Sequence, residues 1–261
     1  MKTDGRTPFP PVIQESSTKM IHSLSRTELE KLTRSSLPTS FPPSLNFTGN
    51  PEILSAPRVA IVGSRHPTYY GRSQAHYFAQ TLASAGVTIL SGAAIGIDTI
   101  VNSTALASGN TVAVLGSGLN MPYPRSNKKL IEQLGSRKNS LVLSELDPYE
   151  PPARWNFPRR NRIIAALSHF VLVIEAIPAS GSLITAGFAA EIGVDVGALP
   201  GPVNSVSSSG CNLLIKEGAF CIEKPEEILE RLGFLGHQMA GCARVHQKAR
   251  TTHDKKQQLL F

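Results

Sequence analysis

The chain has 261 residues, 41% of them hydrophobic and 17% charged, with a net charge of +7. That length holds one good-sized α/β domain with short extensions, and the basic balance fits an anionic partner such as nucleic acid. Three cysteines without CxxC spacing (Cys211, Cys221, Cys242) argue against a disulfide framework or a zinc site. MKTDGRTPFP has no apolar leader run, and no stretch approaches the ~20 apolar residues of a membrane span. The expectation is a cytoplasmic protein without membrane contact, cofactor or metal.

In chain order, residues 1–41 are rich in Ser, Thr and Pro. They read as an N-terminal arm, partly disordered, with one short helix around Lys19–Arg34, where Ile21, Leu24, Leu29 and Leu32 fall near helical spacing. Residues 42–235 form the core. Apolar runs recur there: VAIV (59–62), VTIL (87–90), VAVL (112–115), LVL (141–143), FVLVIEA (170–176) and VGALPG (196–201). Each is short, β-branched and unbroken by polar residues, the pattern of a strand buried on both faces. Helical patterns separate them. In residues 71–86, Ala75, Phe78, Ala79 and Leu82 make one face before Gly86; residues 98–108 start at Asp98 as an N-cap and stop at Gly109; residues 182–192 follow SGS and stop at Gly193. Alternation of this kind predicts an α/β fold with a mostly parallel, doubly wound sheet and helices on both faces. Residues 236–261 read as a flexible tail, with Arg244, Lys248, Arg250, Lys255 and Lys256 against Asp254.

In such a sheet, ligands bind beyond the carboxyl ends of the strands. The segments that follow the apolar runs are GSRHPTYYG (63–71), SGAAIGID (91–98), GSGLNMPYP (116–124), SELDP (144–148), EAIPASGSLITAG (175–187) and PGPVNSVSSSGCN (200–212). Glycine and serine dominate them, so Gly63, Ser64, Ser91, Gly92, Gly116, Gly118, Ser180, Gly181, Ser182 and Thr185 are candidates for an anion-binding rim. The competing reading is that these glycines only make tight strand-to-helix turns. GxGxxG fails at GSGLNM, and there is no GxxxxGK[ST], HExxH or GxSxG. His66, His76 and His169 are scattered, with no nucleophile beside them. Asp98 reads as a helix cap, and Glu175 as a structural brace for Arg160 or Arg162.

The segment NFPRRNRIIAALS (156–168) places Arg159, Arg160 and Arg162 before an apolar helix, with no acid between Glu150 and Glu175. Guanidinium groups match phosphate oxygens, and Phe157 (Trp155 less so) is a stacking platform, the pairing expected for single-stranded nucleic acid. One of the arginines, expected to be Arg162, is buried and paired within the fold. Arg65, after the first core strand, adds charge to the same rim.

These segments resemble the DNA-processing protein A (DprA/Smf) family. VAIVGSR…YG, SGAAIGID, VAVLGSGLN..YP..N, SE…P, FPRRNRIIAALS, SGSLITA and ALPG…G.N.LI occur in its order across about residues 42–222. The resemblance implies an extended Rossmann-like fold that binds single-stranded DNA, protects it and helps load the RecA recombinase in natural transformation. It also implies a homodimer and no enzymatic turnover. It places the DNA contacts at Arg65 and at Phe157, Arg159, Arg160 and Asn161. Three positions depart from the family: Asn102 stands where GIDxxAH has histidine, Asn120 where GLD has aspartate, and Val194 where arginine follows AAEIG. The accessory domains of many members are not matched, so the chain reads as a minimal form. Two other readings stand beside this one. One is a nucleotide phosphoribohydrolase of the lysine-decarboxylase-like group, whose PGGxGTxxE loop ASGSLITAG matches poorly. The other is a pure adaptor between RecA and another protein. Finally, the terminal QQLLF resembles a sliding-clamp docking peptide, with Gln257, Leu260 and Phe261 as its contacts.

Overall fold

Runs of β-branched residues without polar interruption cannot leave either face in water. In the computed structural model, which describes residues 20–234, they form the inner strands of one nine-stranded sheet. The strands are β1 (His22–Ser25), β2 (Ser44–Gly49), β3 (Arg58–Gly63), β4 (Thr88–Ser91), β5 (Thr111–Val114), β6 (Ser140–Ser144), β7 (Phe170–Ile174), β8 (Asp195–Ala198) and β9 (Phe220–Cys221). Their order across the sheet is β1-β2-β6-β5-β4-β3-β7-β8-β9. The pairs from β6 to β9 are parallel; β1–β2 and β2–β6 are antiparallel. The fold is the mostly parallel, doubly wound α/β sheet that the alternation predicts.

The helices are α1 (Arg26–Thr33), α2 (Tyr69–Ser84), α3 (Ile97–Ser108), α4 (Lys128–Leu134), α5 (Asn156–Ala166), α6 (Gly181–Glu191), α7 (Ser209–Lys216) and α8 (Pro225–Arg231). Because side chains alternate along a strand, each central strand feeds two cores. Ala60, Val62, Val112, Val114, Val171 and Val173 pack with α1, α5 and α6 on one face. Val59, Ile61, Ile89, Leu172 and Ile174 pack with α2, α3 and α8 on the other. Each fully buried Ile or Leu contributes roughly 1.5–3 kcal/mol relative to exposure.

The N-terminal segment holds the expected helix and one unexpected strand. The helix occupies Arg26–Thr33 only, opened by a capping box in which Ser25 and Glu28 bond each other's backbone N–H groups. It is preceded by β1, whose pairing with β2 extends the sheet beyond β6. Leu24, Leu29, Leu37 and Phe41 are buried in the main core. Arg58, at the start of β3, is fully buried without a carboxylate partner among the described residues. Its guanidinium donates to the carbonyls of Leu54, Ala56, Leu167 and Thr33. That side chain adds to the β1–β2 pairing in tying the N-terminal segment to the sheet.

Helix α3 corrects one reading. It begins at Ile97, with Gly96 at the cap position making no side-chain hydrogen bond. Asp98 lies inside the first turn, and its carboxylate reaches back to accept from the N–H groups of Gly92 (3.1 Å) and Ala94 (3.3 Å). It caps the preceding loop instead of the helix.

Candidate nucleic-acid interface

Chain order in the sheet reverses at β3. Strands β4, β5 and β6 run outward on one side and β7, β8 and β9 on the other, so the crevice between β3 and β7 is the topological switch point. A cleft of about 600 Å³ lies there. Its walls come from the end of β3 (Gly63) and the loop after it (Ser64, Arg65, His66), the N-terminal half of α5 and the start of α6. Helix α5 belongs to the connection between β6 and β7, which are separated by β5, β4 and β3. That crossing brings the arginine segment over the sheet to the cleft.

Of the expected rim residues, Gly63, Ser64, Arg65, Phe157, Arg160, Asn161, Ser180, Gly181, Ser182 and Thr185 line this one cleft. Ser180 holds the N-cap position of α6 without a side-chain cap bond, which leaves first-turn N–H groups for an anion. Its hydroxyl lies 2.9 Å from that of Ser182, and Asn161 Nδ2 donates to the Gly181 carbonyl at 3.0 Å. The α5 and α6 walls are therefore locked together.

The other five expected residues lie outside the lining. Ser91 is buried, donating to the Ile61 carbonyl at 2.8 Å. A Cβ at Gly92 would sit 2.5 Å from the Arg160 guanidinium, and one at Gly116 would sit 2.8 Å from Phe157 Cδ1, so both glycines permit close approach by a site residue. Gly118 donates to the Glu150 carbonyl at 2.8 Å and braces the neighbouring loop. Arg159 is exposed and paired with Glu145 at 3.2 Å.

The arginines do not divide as the sequence suggests. Arg160, not Arg162, is the buried one, with 5% exposure. Its guanidinium donates to the carbonyls of Gly92 and Val114 and, through Nε, to Asn161 Oδ1 at 3.0 Å. Burial pulls its pKa down to about 10, against the attraction of Asp98. The same desolvation raises the Asp98 pKa, against the pull of Arg160 and of the bonds from Ala94, Ser91 and Gly92. Arg162 is partly exposed and donates to Glu145 and to the Ser40 carbonyl. The positive charge of the segment is thus only partly compensated: Glu145 is shared by Arg159 and Arg162, and Asp98 attracts Arg160. Glu175 braces neither arginine. Its backbone is left-handed (φ 51), and its carboxylate accepts from the Thr68 N–H (2.8 Å) and hydroxyl. Ala93 (φ 53) and Ala179 (φ 60) share that uncommon conformation, so the non-glycine positive-φ residues that follow β4 and β7 lie in the loops leading to α3 and α6.

The cleft mouth holds groups that the sequence reading missed. Arg154, exposed and one residue before Trp155, lines it, as does Tyr123 from the loop after β5. Tyr123 stands 5.5 Å from Phe157 between ring centroids, tilted by 47°. The Arg65 guanidinium lies over the Phe157 ring, 5.9 Å from its centroid. An aromatic in a glycine-rich rim loop was the available signal for Tyr123. Trp155 is 73% exposed just before α5. Asn102, at the departed histidine position, is buried and donates to Thr111 Oγ1 (2.9 Å) and the Val112 carbonyl, away from the cleft. Among the described residues no group of three or more His, Cys, Asp or Glu side chains could hold a metal ion, and no helix is long and apolar enough to cross a membrane. Gln257, Leu260 and Phe261 lie outside the described residues.

Comparison with known proteins gives this site its family. The model for DNA recombination-mediator protein A matches residues 27–233. Protein Smf of Escherichia coli is 47% identical over 197 residues, covering 75% of this chain and 52% of Smf. DNA processing protein DprA of Streptococcus pneumoniae is 43% identical over 194 residues, covering 74% of this chain and 68% of its own. The chain thus spans about half the length of the Smf relative and two thirds of the DprA relative. The X-ray structure of the S. pneumoniae protein superposes with a TM-score of 0.71 at 38% identity, covering 80% of this chain and 74% of that one. A structure of DNA processing protein A from Helicobacter pylori, described for its single-stranded DNA binding mode, superposes with a TM-score of 0.71 at 30% identity, covering 82% and 96%. With its matched segment running from α1 to the end of α8, the chain belongs to the DNA recombination-mediator protein A family.

Proposed function

We propose that the protein binds single-stranded DNA in the cleft between β3 and β7, as a binder without turnover. The observation that carries this reading is the composition of the cleft mouth. Two exposed arginines, Arg65 and Arg154, flank the aromatic pair Phe157 and Tyr123 above a floor of glycine and serine. Arginine suits phosphate, and aromatic rings accept any base face once a strand is unpaired. The acids around the rim are committed elsewhere: Glu145 to two arginines, Glu175 to Thr68, Asp98 to Gly92 and Ala94. That favours binding over acid–base chemistry. By family membership, the proposal extends to protection of the strand, delivery to the RecA recombinase in DNA uptake or recombination, and action as a homodimer. The 42–235 core, together with the β1–α1 segment packed onto it, as the working unit and clamp docking through QQLLF belong to the same proposal.

The test is fluorescence anisotropy of labelled poly-dT against its duplex over a salt series. The expected result is preference for the single strand. With two to three phosphates neutralised, log K should fall against log salt with a slope of about −1.4 to −2.1. Equal binding of duplex and single strand, or no binding at low salt, overturns the proposal.

A further inference from the structure

Tyr123 stands in the YP of a segment that carries the family resemblance, but the DNA contacts which that resemblance implies do not include it. It is 46% exposed and lines the cleft. Its neighbour Phe157 is more crowded. The backbone at Gly116 leaves no room for a Cβ beneath that ring, and the Arg65 guanidinium lies over it. Phe157 is therefore placed to support Tyr123, and Tyr123 offers the freer aromatic surface of the pair.

The loop that carries Tyr123 is fixed at both ends. On one side, Asn120 N–H donates to the Pro148 carbonyl and Met121 N–H to the Gly118 carbonyl, each at 2.9 Å. On the other, the buried Asn127 side chain donates to the Ala93 carbonyl (2.9 Å) and to Thr99 Oγ1 (2.8 Å). Those bonds tie the Tyr123 loop to the loop that Asp98 and Arg160 also hold. An exposed ring on a fixed support loses little freedom when a flat ligand settles on it.

We propose that Tyr123 is the surface on which a nucleobase stacks when the cleft holds a single strand, a role that rests on the single-stranded DNA reading of the same cleft. Arg65 and Arg154 then take the flanking phosphates. Stacking needs the ring and not the phenolic hydroxyl, and it tolerates every base.

The experiment compares two oligonucleotides of equal length and charge, one of thymidines and one of abasic sites. Wild type, Tyr123→Ala and Tyr123→Phe are titrated against both by anisotropy, with thermal denaturation as a check on folding. The expected result is that wild type prefers the base-bearing strand. Tyr123→Ala loses about 5- to 150-fold on thymidine, the span of ~1–3 kcal/mol per stacked base. It loses less than about threefold on the abasic strand, and Tyr123→Phe stays within about twofold of wild type on both. Equal losses on the two strands would make Tyr123 a structural residue, and unchanged thymidine affinity would make it a bystander; either overturns the stacking role alone. If Tyr123→Ala does not fold, the wild type and Tyr123→Phe still decide. A wild type that binds both strands equally has no base to stack, and a tenfold loss in Tyr123→Phe means that the hydroxyl carries the contact. A wild type that binds neither strand overturns the proposed function itself and the stacking role with it.

Discussion

Replacing Arg160 by Ala separates holding the cleft from contacting DNA. The guanidinium is 5% exposed and donates to two backbone carbonyls and to Asn161 Oδ1. Its removal leaves those acceptors without that donor in the interior and strips Asp98, itself buried, of the cation whose attraction opposes its desolvation. Breaking a buried charge arrangement from one side costs about 3–5 kcal/mol. In a domain of this size each kcal/mol moves the melting temperature by roughly 2–4 °C, so the expected fall is about 6–20 °C. Arg65→Ala is the counterpart. Its side chain is exposed, so the melting temperature should stay within about 1 °C while affinity for poly-dT falls by ~1–3 kcal/mol. Differential scanning calorimetry and anisotropy on the two variants give both coordinates. Were Arg160→Ala to melt within about 2 °C of wild type and yet lose DNA binding, the assignment of Arg160 to the scaffold would be refuted.

Two further outcomes follow from packing and charge. Gly116→Ala places a methyl group 2.8 Å from Phe157 Cδ1 and must push that ring out of position; poly-dT affinity should fall severalfold for a stability cost of about 1–3 kcal/mol, and unchanged affinity by anisotropy would show that the ring position is irrelevant. His169 has both ring nitrogens 3.0 Å from N–H groups of Arg58, and desolvation with the Arg58 charge holds its pKa near 4 instead of 6.5. The unfolded chain takes up that proton first, so stability is full above pH ~6.5 and is lost as pH falls toward 4. Urea denaturation at several pH values should show a flatter acid limb for His169→Gln than for wild type.

The inner sheet was legible because a strand covered on both faces is mostly apolar and β-branched, and VAIV and FVLVI fit that pattern between turn signals. Strands β1 and β2 were not, because HSLS and SLNFTG mix exposed with buried residues and carry no such run. Their place depends on pairing with β6, roughly a hundred residues away in the chain. At the site, residue type was legible and partnership was not. FPRRN announced an arginine cluster at the rim, but which arginine turns inward is set by helix phase against Gly92 and Val114. Likewise Glu175 and Asp98 were recognisable as structural acids, while their partners Thr68, Gly92 and Ala94 became visible only through backbone geometry. Tyr123 was missed because its meaning comes from a neighbour, Phe157, thirty-four residues along the chain.

The pairing of β3 with β7 sets a schedule for the ribosome. Val59 lies beside Phe170 and Gly63 beside Ile174, and the far wall of the cleft ends only at Thr185. A nascent chain can pair β3 with β4 as soon as residue 91 has emerged, since that closure is local. It cannot assemble the cleft until α5 and α6 have been synthesised and β7 has inserted on the opposite side of β3. The half-made protein therefore displays its basic segment before it owns a site. On the proposed reading of the cleft, a chain truncated before residue 170 lacks β7 and α6 and should not bind poly-dT.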